Sequence, residues 1–565
     1  MKKLINDPRA VVREMLEGLV DLAPDQALLE GEDVVVRAGL PPYDERREVA
    51  VLSGGGSGHE PAHAGYVGAG MLHAAVSGDV FTSPSVDAVL AAIRAVAGPP
   101  GLLLIIKNYT GDRLNFGLAA ELARAEGIAI ETVVVADDVA LRDTVEPERR
   151  RGIAGTVLVH KVAGAAAAAG LTLQEVAREA RTTASLLGTM GVALGPCTVP
   201  AAGRPGFTLG DDEVELGLGI HGERGVERTT LRRADELVET ILGTILADRG
   251  PGHGDRVALL VNGLGATPPM ELAIVARRAI AVLRERGLTV TRAWSGNLLT
   301  ALEMPGMSLT VLPVDEARLQ RLDAPTEAPA WPGGGRIGPA RKIVRSSSAV
   351  PEPMSLHPSS PGNEMMKRAA LAVAVALESA EAHLTELDAA AGDGDLGASM
   401  TRGARAIRVL PEAAWSAHPG IMLTRIADAL RRAIGGSSGP FYATALLRAA
   451  QTLPETPTAP DWSAALAAGV NAITELGGAK PGDRTMIDTL HPGATAFAAG
   501  LAVGRSATEA WDEAVTAAQE GLAATAQMHP RLGRASYLGD RAMGTVDAGA
   551  AAVAIWMRAV WPLPE

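Results

Sequence analysis

The chain has 565 residues, 47% hydrophobic and 21% charged, which exceeds a single small module and lies far from the polar, highly charged composition of disorder. Lys and Arg total 52 against 65 Asp and Glu, a formal charge of −13, and aromatics are only 3%, so no basic-aromatic stripe exists for a nucleic-acid partner. Cys197 is the only cysteine, which excludes an intramolecular disulfide and a Cys-based zinc site and points to a reducing compartment.

At the start, Met1-Lys2-Lys3-Leu4-Ile5 is broken by Asn6, Asp7 and Pro8 before an apolar core develops, so no signal peptide is read. No stretch holds 18 uncharged apolar residues; the most apolar, 162–170, is too short to span a bilayer. The expectation is a cytoplasmic protein without a membrane partner. From about 47 to 314, β-rich runs at 49–52, 102–107, 128–135, 157–162, 257–261 and 309–312 alternate with helix-length segments. That alternation predicts an α/β part with largely parallel sheets flanked by helices. Pro, Gly and Ser then crowd 326–363, which reads as an extended linker. Beyond Asn363, taken as an N-cap, strand signals nearly vanish and helices are predicted over 364–387, 421–434, 462–476, 493–502, 507–525 and 547–560. The organisation is therefore an α/β part over 1–325, a linker over 326–363 and an all-α part over 364–565, with no internal repeat at a fixed period.

Four loops carry candidate chemistry. Ser53-Gly54-Gly55-Gly56-Ser57-Gly58-His59-Glu60-Pro61 follows the first clear strand, where glycines let backbone approach a ligand and His59 projects from a strand's carboxyl end. The competing reading is a plain tight turn. Lys107-Asn108-Tyr109-Thr110-Gly111-Asp112 ends a buried strand in charged groups that are costly to desolvate unless paired with each other or used. Gly217-Leu218-Gly219-Ile220-His221-Gly222-Glu223 matches a dinucleotide fingerprint formally, but the segment before it is acidic and no helix opens on its last glycine. What remains is an imidazole among glycines, a structural histidine or one able to attack a carbonyl. In the helical part, Asp388, Asp393 and Asp395 surround Gly392-Asp393-Gly394-Asp395; three carboxylates brought together repel unless a divalent cation compensates them. Hard oxygen ligands suit Mg²⁺ shared with phosphates, whereas a solvated acidic turn is the alternative and the EF-hand spacing fails. Gly435-Gly436-Ser437-Ser438-Gly439-Pro440 offers hydroxyls and amides for an anion if a helix starts there. Arg484 and Arg534 are basic residues that could face phosphates, and no Gly-Lys dipeptide is present, so there is no Walker A loop.

These motifs, together with Arg534-Ala535-Ser536-Tyr537-Leu538-Gly539 and in this order, make the whole chain resemble the single-chain, ATP-dependent dihydroxyacetone (glycerone) kinase family. The resemblance implies a DhaK-like α/β part of two subdomains, with parallel or mixed sheets flanked by helices, joined to a DhaL-like all-α helical barrel. It implies that His221 adds to the carbonyl of a small ketose as a covalent hemiaminal, selecting ketones over an alcohol such as glycerol. His59 and Asp112 would hold the triose, one of them accepting the proton of the attacking hydroxyl; Gly56, Ser57 and Lys107 would contact substrate. Asp388, Asp393 and Asp395 would hold two Mg²⁺ ions against ATP, the co-substrate, with Ser437, Ser438 and Gly439 as the phosphate loop and Gly478, Met486 and Arg534 in nucleotide-contacting segments. Fusion of the two parts favours ATP as donor over a phosphotransferase-system partner, and docking of the helical part would gate turnover. A homodimer through the α/β part is likewise implied. Leu396 departs from the small polar residue or His common there, which weakens one nucleotide contact only. Three readings compete: the ketose kinase, acting on dihydroxyacetone, glyceraldehyde or erythrulose; a ketose-binding regulator, which would show a broken acidic triad; and FAD-AMP lyase chemistry forming a cyclic FMN at the same nucleotide site.

Overall fold

Two six-stranded sheets organise the first half of the chain in a computed structural model, which describes residues 2–41, 43, 47–344 and 361–560, the side chains of 361, 362 and 534 excepted. The chain divides into two units, Met1–Arg345 and Ser346–Glu565. In chain order the strands are β1 (Gln26–Leu28), β2 (Val34–Arg37), β3 (Ala50–Ser57), β4 (Ala74–Val80), β5 (Leu102–Lys107), β6 (Ile130–Val135), β7 (Gly188–Ala193), β8 (Glu213–Leu216), β9 (Glu227–Thr230), β10 (Arg256–Gly263), β11 (Thr289–Gly296) and β12 (Gly306–Pro313). The first sheet runs β1-β2-β4-β3-β5-β6, with β4, β3, β5 and β6 in parallel pairing. The second runs β11-β10-β12-β7-β8-β9, and only β10 and β11 pair in parallel.

Largely parallel pairing thus describes the first sheet and not the second. Apolar runs covered on both faces look the same in either direction, so the run itself carried no information on pairing. The 157–162 run, read as a strand, belongs to helix Thr156–Ala168. That helix is buried on every side, so its apolar residues show no 3.6-residue period, and over six residues a buried helix and a buried strand cannot be told apart.

Helices Val86–Val96 and Thr110–Ala125 cover the outer face of the first sheet, and helices Ala234–Arg249 and Pro269–Glu285 that of the second. Between the sheets lie helices Thr156–Ala168 and Leu173–Leu186, packed on Val51, Leu103 and Ile105 of one sheet and sharing a core with Ala258, Leu260 and Leu312 of the other. Each fully buried Val, Leu or Ile there contributes about 1.5–3 kcal/mol. Part of the segment read as linker belongs to this unit: Ala328 and Trp331 are buried, Trp331 lies 5.0 Å from Trp294, and the Trp294 Nε1–H donates to the Gly333 carbonyl at 2.7 Å. Two apolar anchors outweigh the Pro and Gly around them. The end of that reading, 361–363, belongs to helix Pro361–Ser379, and 345–360 lies outside the described residues.

The second unit has nine helices among the described residues: Pro361–Ser379, Glu381–Ala391, Leu396–Arg408, Pro419–Ala433, Ser438–Thr452, Ala459–Gly477, Ile487–Ala502, Ala507–Thr525 and Ala548–Ala559. The helix read over 364–387 is two helices parted at Ala380, and Asn363 sits inside the first of them rather than capping it. Elsewhere the boundaries follow local chemistry, as where Thr458 with Asp461 and Ser506 with Glu509 form capping boxes. Alternation of helix direction places the loops 392–395, 434–437 and 478–486, and the longer connection 526–547, at one end of the unit. The helices surround an apolar cavity of about 570 Å³ lined by residues such as Met366, Leu430, Leu446, Trp462 and Phe497. No helix among the described residues is long and apolar enough to cross a membrane.

Candidate active site

In the first unit, β3, β4 and β5 run parallel, so their carboxyl ends open on one edge, where α/β sheets bind ligands. His59 follows β3 and is buried, its ring 5.1 Å from Phe81 in a stacked arrangement. Its Nδ1 lies 2.7 Å from the Thr300 carbonyl oxygen. A carbonyl only accepts, so Nδ1 carries the proton and Nε2, which has no partner, keeps its lone pair. Burial, then the charges of Lys107 and His221, hold this imidazole well below the usual histidine range, so it stays neutral.

His221 stands on the loop between β8 and β9, with its ring nitrogen Nδ1 2.9 Å from Glu223 Oε1. Burial alone would raise the Glu223 carboxyl, but the hydrogen bond from His221 and its charge hold it down to about 2. An ionised carboxylate accepts only, so the hydrogen between them is on His221 Nδ1, and Nε2 is the nitrogen that Glu223 does not engage. Tyr109, His59 and Phe81 brace the ring at centroid distances of 4.5, 4.9 and 5.2 Å. The two histidines, far apart in sequence, are therefore neighbours, each with its Nδ1 engaged as a donor.

Lys107 ends β5, is fully buried and has no hydrogen-bond partner for Nζ. Burial lowers its pKa, while Asp112, Glu223 and Glu60 pull it back up. Asp112 lies buried in the first turn of helix Thr110–Ala125. A Cβ added to Gly55 would meet Lys107 Nζ at 3.1 Å and Asp112 Oδ2 at 3.5 Å, so both converge beneath the glycine loop. Gly56 packs on the backbone of Phe81 and Thr82, and the Ser57 hydroxyl donates to the Gly78 carbonyl at 2.7 Å, leaving a ligand only its lone pairs. His59, His221, Lys107, Asp112, Gly56 and Ser57 thus come together. Sequence reasoning gave no role to Glu223, Tyr109 or Thr300. Glu223 had a signal, an acid two residues from a histidine in a glycine loop; Thr300 had none, being 241 positions from His59. His63 and His160, also buried with unpartnered ring nitrogens and 5.1 Å apart, were hidden in apolar surroundings.

In the second unit, one carboxylate oxygen each from Asp388, Asp393 and Asp395 lies within 4.8 Å of the others. Asp388 is half-buried and Oδ2 accepts the Leu396 N–H at 3.2 Å; the other two are exposed. Such a set of hard oxygens, crowded and open to water, fits Mg²⁺. The Leu396 side chain is partly buried and packs against the apolar core of the unit. Ser437 and Ser438 begin helix Ser438–Thr452, whose first amides and positive end suit an anion. A Cβ on Gly439 would lie 2.1 Å from the Ile434 carbonyl oxygen, so only glycine permits this turn. Neighbouring contacts join the loops: Ile434 packs on Gly403, Phe441 on Gly477, and Met486 lies 3.7 Å from where a Gly549 Cβ would be. Gly478 is the left-handed cap of its helix, at φ +73°.

Arg484 corrects its reading as a phosphate-facing residue. Its guanidinium is buried and donates to the carbonyls of Thr525, Ala542 and Thr545 at 3.2, 2.8 and 2.9 Å, tying the loops together from inside. The Arg534 side chain lies outside the described residues.

Comparison with known proteins agrees with both halves. The Dak1 domain model matches residues 17–330 and the DAK2 domain model 390–561. The chain is 45% identical over 571 residues to the triokinase/FMN cyclase of Homo sapiens, covering 99% of this chain and 98% of that one. It is 39% identical over 574 residues to the D-erythrulose kinase of Mycolicibacterium smegmatis, with 99% and 98% covered. The crystal structure of the dihydroxyacetone kinase from C. freundii in complex with AMP-PNP and Mg²⁺ matches with a TM-score of 0.64 at 36% identity, over 99% of both chains.

Proposed function

The chain belongs to the dihydroxyacetone kinase family, and on that premise we propose that it transfers the γ-phosphoryl group of ATP to a hydroxyl of a small ketose, dihydroxyacetone first, held as a hemiaminal on His221. The observation that carries this reading is the pair of neighbouring histidines with Nδ1 protonated and Nε2 open. The His221 Nε2 lone pair forms a C–N bond to the ketose carbonyl carbon as the π pair moves to oxygen. Glu223 stabilises the imidazolium that develops, and a net shift of the Nδ1 proton to the carbonyl oxygen leaves a neutral adduct. Glycerol has no carbonyl and cannot be captured. His59 Nε2 then accepts the proton of the attacking hydroxyl, which Asp112 and the Lys107 ammonium orient. With Nδ1 held by Thr300 and Nε2 without a partner, His59 has one nitrogen free to take that proton.

On the second unit, Ser437, Ser438 and the amides around Gly439 take the ATP phosphates, with Gly478, Met486 and the Arg534 segment around the nucleotide. Mg²⁺, one ion or two, held by Asp388, Asp393 and Asp395 would neutralise phosphate charge when bound. Because phosphoryl transfer asks mainly for position and charge, these residues suffice without a phosphoenzyme. The same reading carries a homodimer through the first unit and a cytoplasmic location.

ADP release with ATP, Mg²⁺ and dihydroxyacetone, glyceraldehyde, D- or L-erythrulose, or glycerol tests it. Ketose-dependent release that vanishes in His221→Ala supports the reading and ranks the substrates; no release with any carbonyl compound rejects it. The name of the Homo sapiens relative favours one second reading, cleavage of FAD to a cyclic FMN and AMP at the nucleotide site. FAD turnover with Mn²⁺ in place of Mg²⁺ separates that activity from the kinase.

A further inference from the structure

His221 rides on a loop without regular structure, residues 217–226. Bonds inside the loop shape it: the His221 N–H and Nδ1–H both go to Glu223, at 3.0 and 2.9 Å, and the Gly222 N–H to the Gly219 carbonyl at 3.1 Å. The ends of the loop are held by the second sheet, the Gly217 N–H donating to the Gly191 carbonyl at 2.8 Å and the Gly225 N–H to Glu215 Oε1 at 2.9 Å. Beneath its foot lies Arg151, beyond the short helices Val139–Leu141 and Pro147–Arg149 that come after β6, and joined to Asp138, which bridges to Thr189 of β7. The Arg151 Nη2–H donates to the Gly217 carbonyl at 2.7 Å, at the foot of the loop, and its Nε–H to Asp138 Oδ2 at 2.7 Å. Nη1 lies 2.6 Å from where a Cβ on Gly219 would stand, so the guanidinium lies directly under the loop backbone. Asp138 is itself fixed: its Oδ1 accepts the Ala140 N–H at 3.0 Å and its own N–H donates to the Arg151 carbonyl at 3.1 Å.

The planar fork of an arginine spans a carboxylate on one side and a carbonyl on the other, which an ammonium cannot do in the same geometry. Among the described residues Arg151 makes no hydrogen bond to His221 or His59. We infer that Arg151 is the positioning residue of His221, a strut from the Asp138 segment to Gly217 that holds the foot of the loop on which His221 stands; this rests on His221 being the residue that captures the ketose. Tyr109, from the end of β5, braces the imidazole from the same side of the molecule.

The test follows [2-¹³C]dihydroxyacetone on the full-length protein by NMR, reading the protein-bound tetrahedral carbon, together with KM for ketose and for ATP. A shift of about 1 Å in a reacting group costs on the order of 10²-fold, so Arg151→Ala should lose the adduct signal and about that much in ketose kcat/KM, with the KM for ATP unchanged. Arg151→Lys, which keeps the charge and loses the fork, should raise the ketose KM about tenfold. Millimolar guanidinium should restore part of the adduct in Arg151→Ala, a response that general loosening of the fold would not give. A folded Arg151→Ala with wild-type adduct and ketose KM, alongside an inert His221→Ala, overturns the strut and leaves the capture reading standing. Retention of the adduct by His221→Ala overturns both. If Arg151→Ala does not fold, Arg151→Lys decides alone: an unchanged ketose KM overturns the strut.

Discussion

The two sites are built on opposite principles. In the first unit the candidate groups are mostly enclosed and individually fixed: His59 is buried against the Thr300 carbonyl, His221 is half-buried and tied to Glu223, and Lys107 is shut beneath the glycine loop. In the second, two of three acidic residues are exposed, and so is Ser437 at the start of helix Ser438–Thr452. The difference teaches which chemistry each can serve. The capture proposed for His221 needs an imidazole held in one orientation, and a single acceptor on Nδ1 provides that. A hydrated divalent ion with its phosphates needs oxygen donors that water can reach.

Variants that strike one site and spare the other should sharpen this contrast. The largest effect is expected of Asp393→Asn, which should cut ketose-dependent ADP release by about 10²–10³-fold while leaving the ketose adduct intact. An adduct lost along with turnover would break the separation. Next comes Glu223→Gln, whose amide no longer enforces a proton on Nδ1; ketose kcat/KM should fall about 10²-fold with the KM for ATP unchanged, as steady-state kinetics in each substrate would reveal. Gly439→Ala sets a methyl 2.1 Å from the Ile434 carbonyl oxygen, so the helix start must move. A cost of about 1–3 kcal/mol in the second unit, with a raised KM for ATP and a normal ketose adduct, is the expected outcome by thermal melting and kinetics.

The smallest effect concerns Asp547, the N-cap of helix Ala548–Ala559, whose carboxyl burial pushes up to about 6. With the folded value above the unfolded one, the group stabilises the fold below about pH 4, and that contribution is lost as pH rises through 6. Asp547→Asn keeps a capping oxygen and removes the ionised form, so Tm at pH 7.5 should rise by about 2–4 °C and the gain should vanish toward pH 4. A gain independent of pH would assign it to something other than this carboxyl.

Much of the site was legible because its groups sit in short contiguous motifs. The glycine run into His59, the cluster from Lys107 to Asp112, the histidine between glycines and the acidic loop from Asp388 to Asp395 each name their residues without reference to the rest of the chain. Local signals also placed helix Ala507–Thr525, where Ser506 and Glu509 form the capping box that starts it. Where the outcome depended on distant contacts the sequence was silent. The 157–162 segment shows no periodicity because every side is buried, and the linker reading missed Trp331 because its partner Trp294 is remote.

By itself, then, the sequence determined the class of each half and the inventory of reactive groups, since composition, capping residues and glycine-set turns act over a few positions. Only the tertiary structure decided which nitrogen of each histidine is open, that Arg484 turns inward while Arg151 holds the His221 loop, and how the second sheet is paired. The physical reason is the range of the deciding interaction: a ring nitrogen takes its proton state from whichever acceptor lies within about 3 Å, and that acceptor can come from any part of the chain.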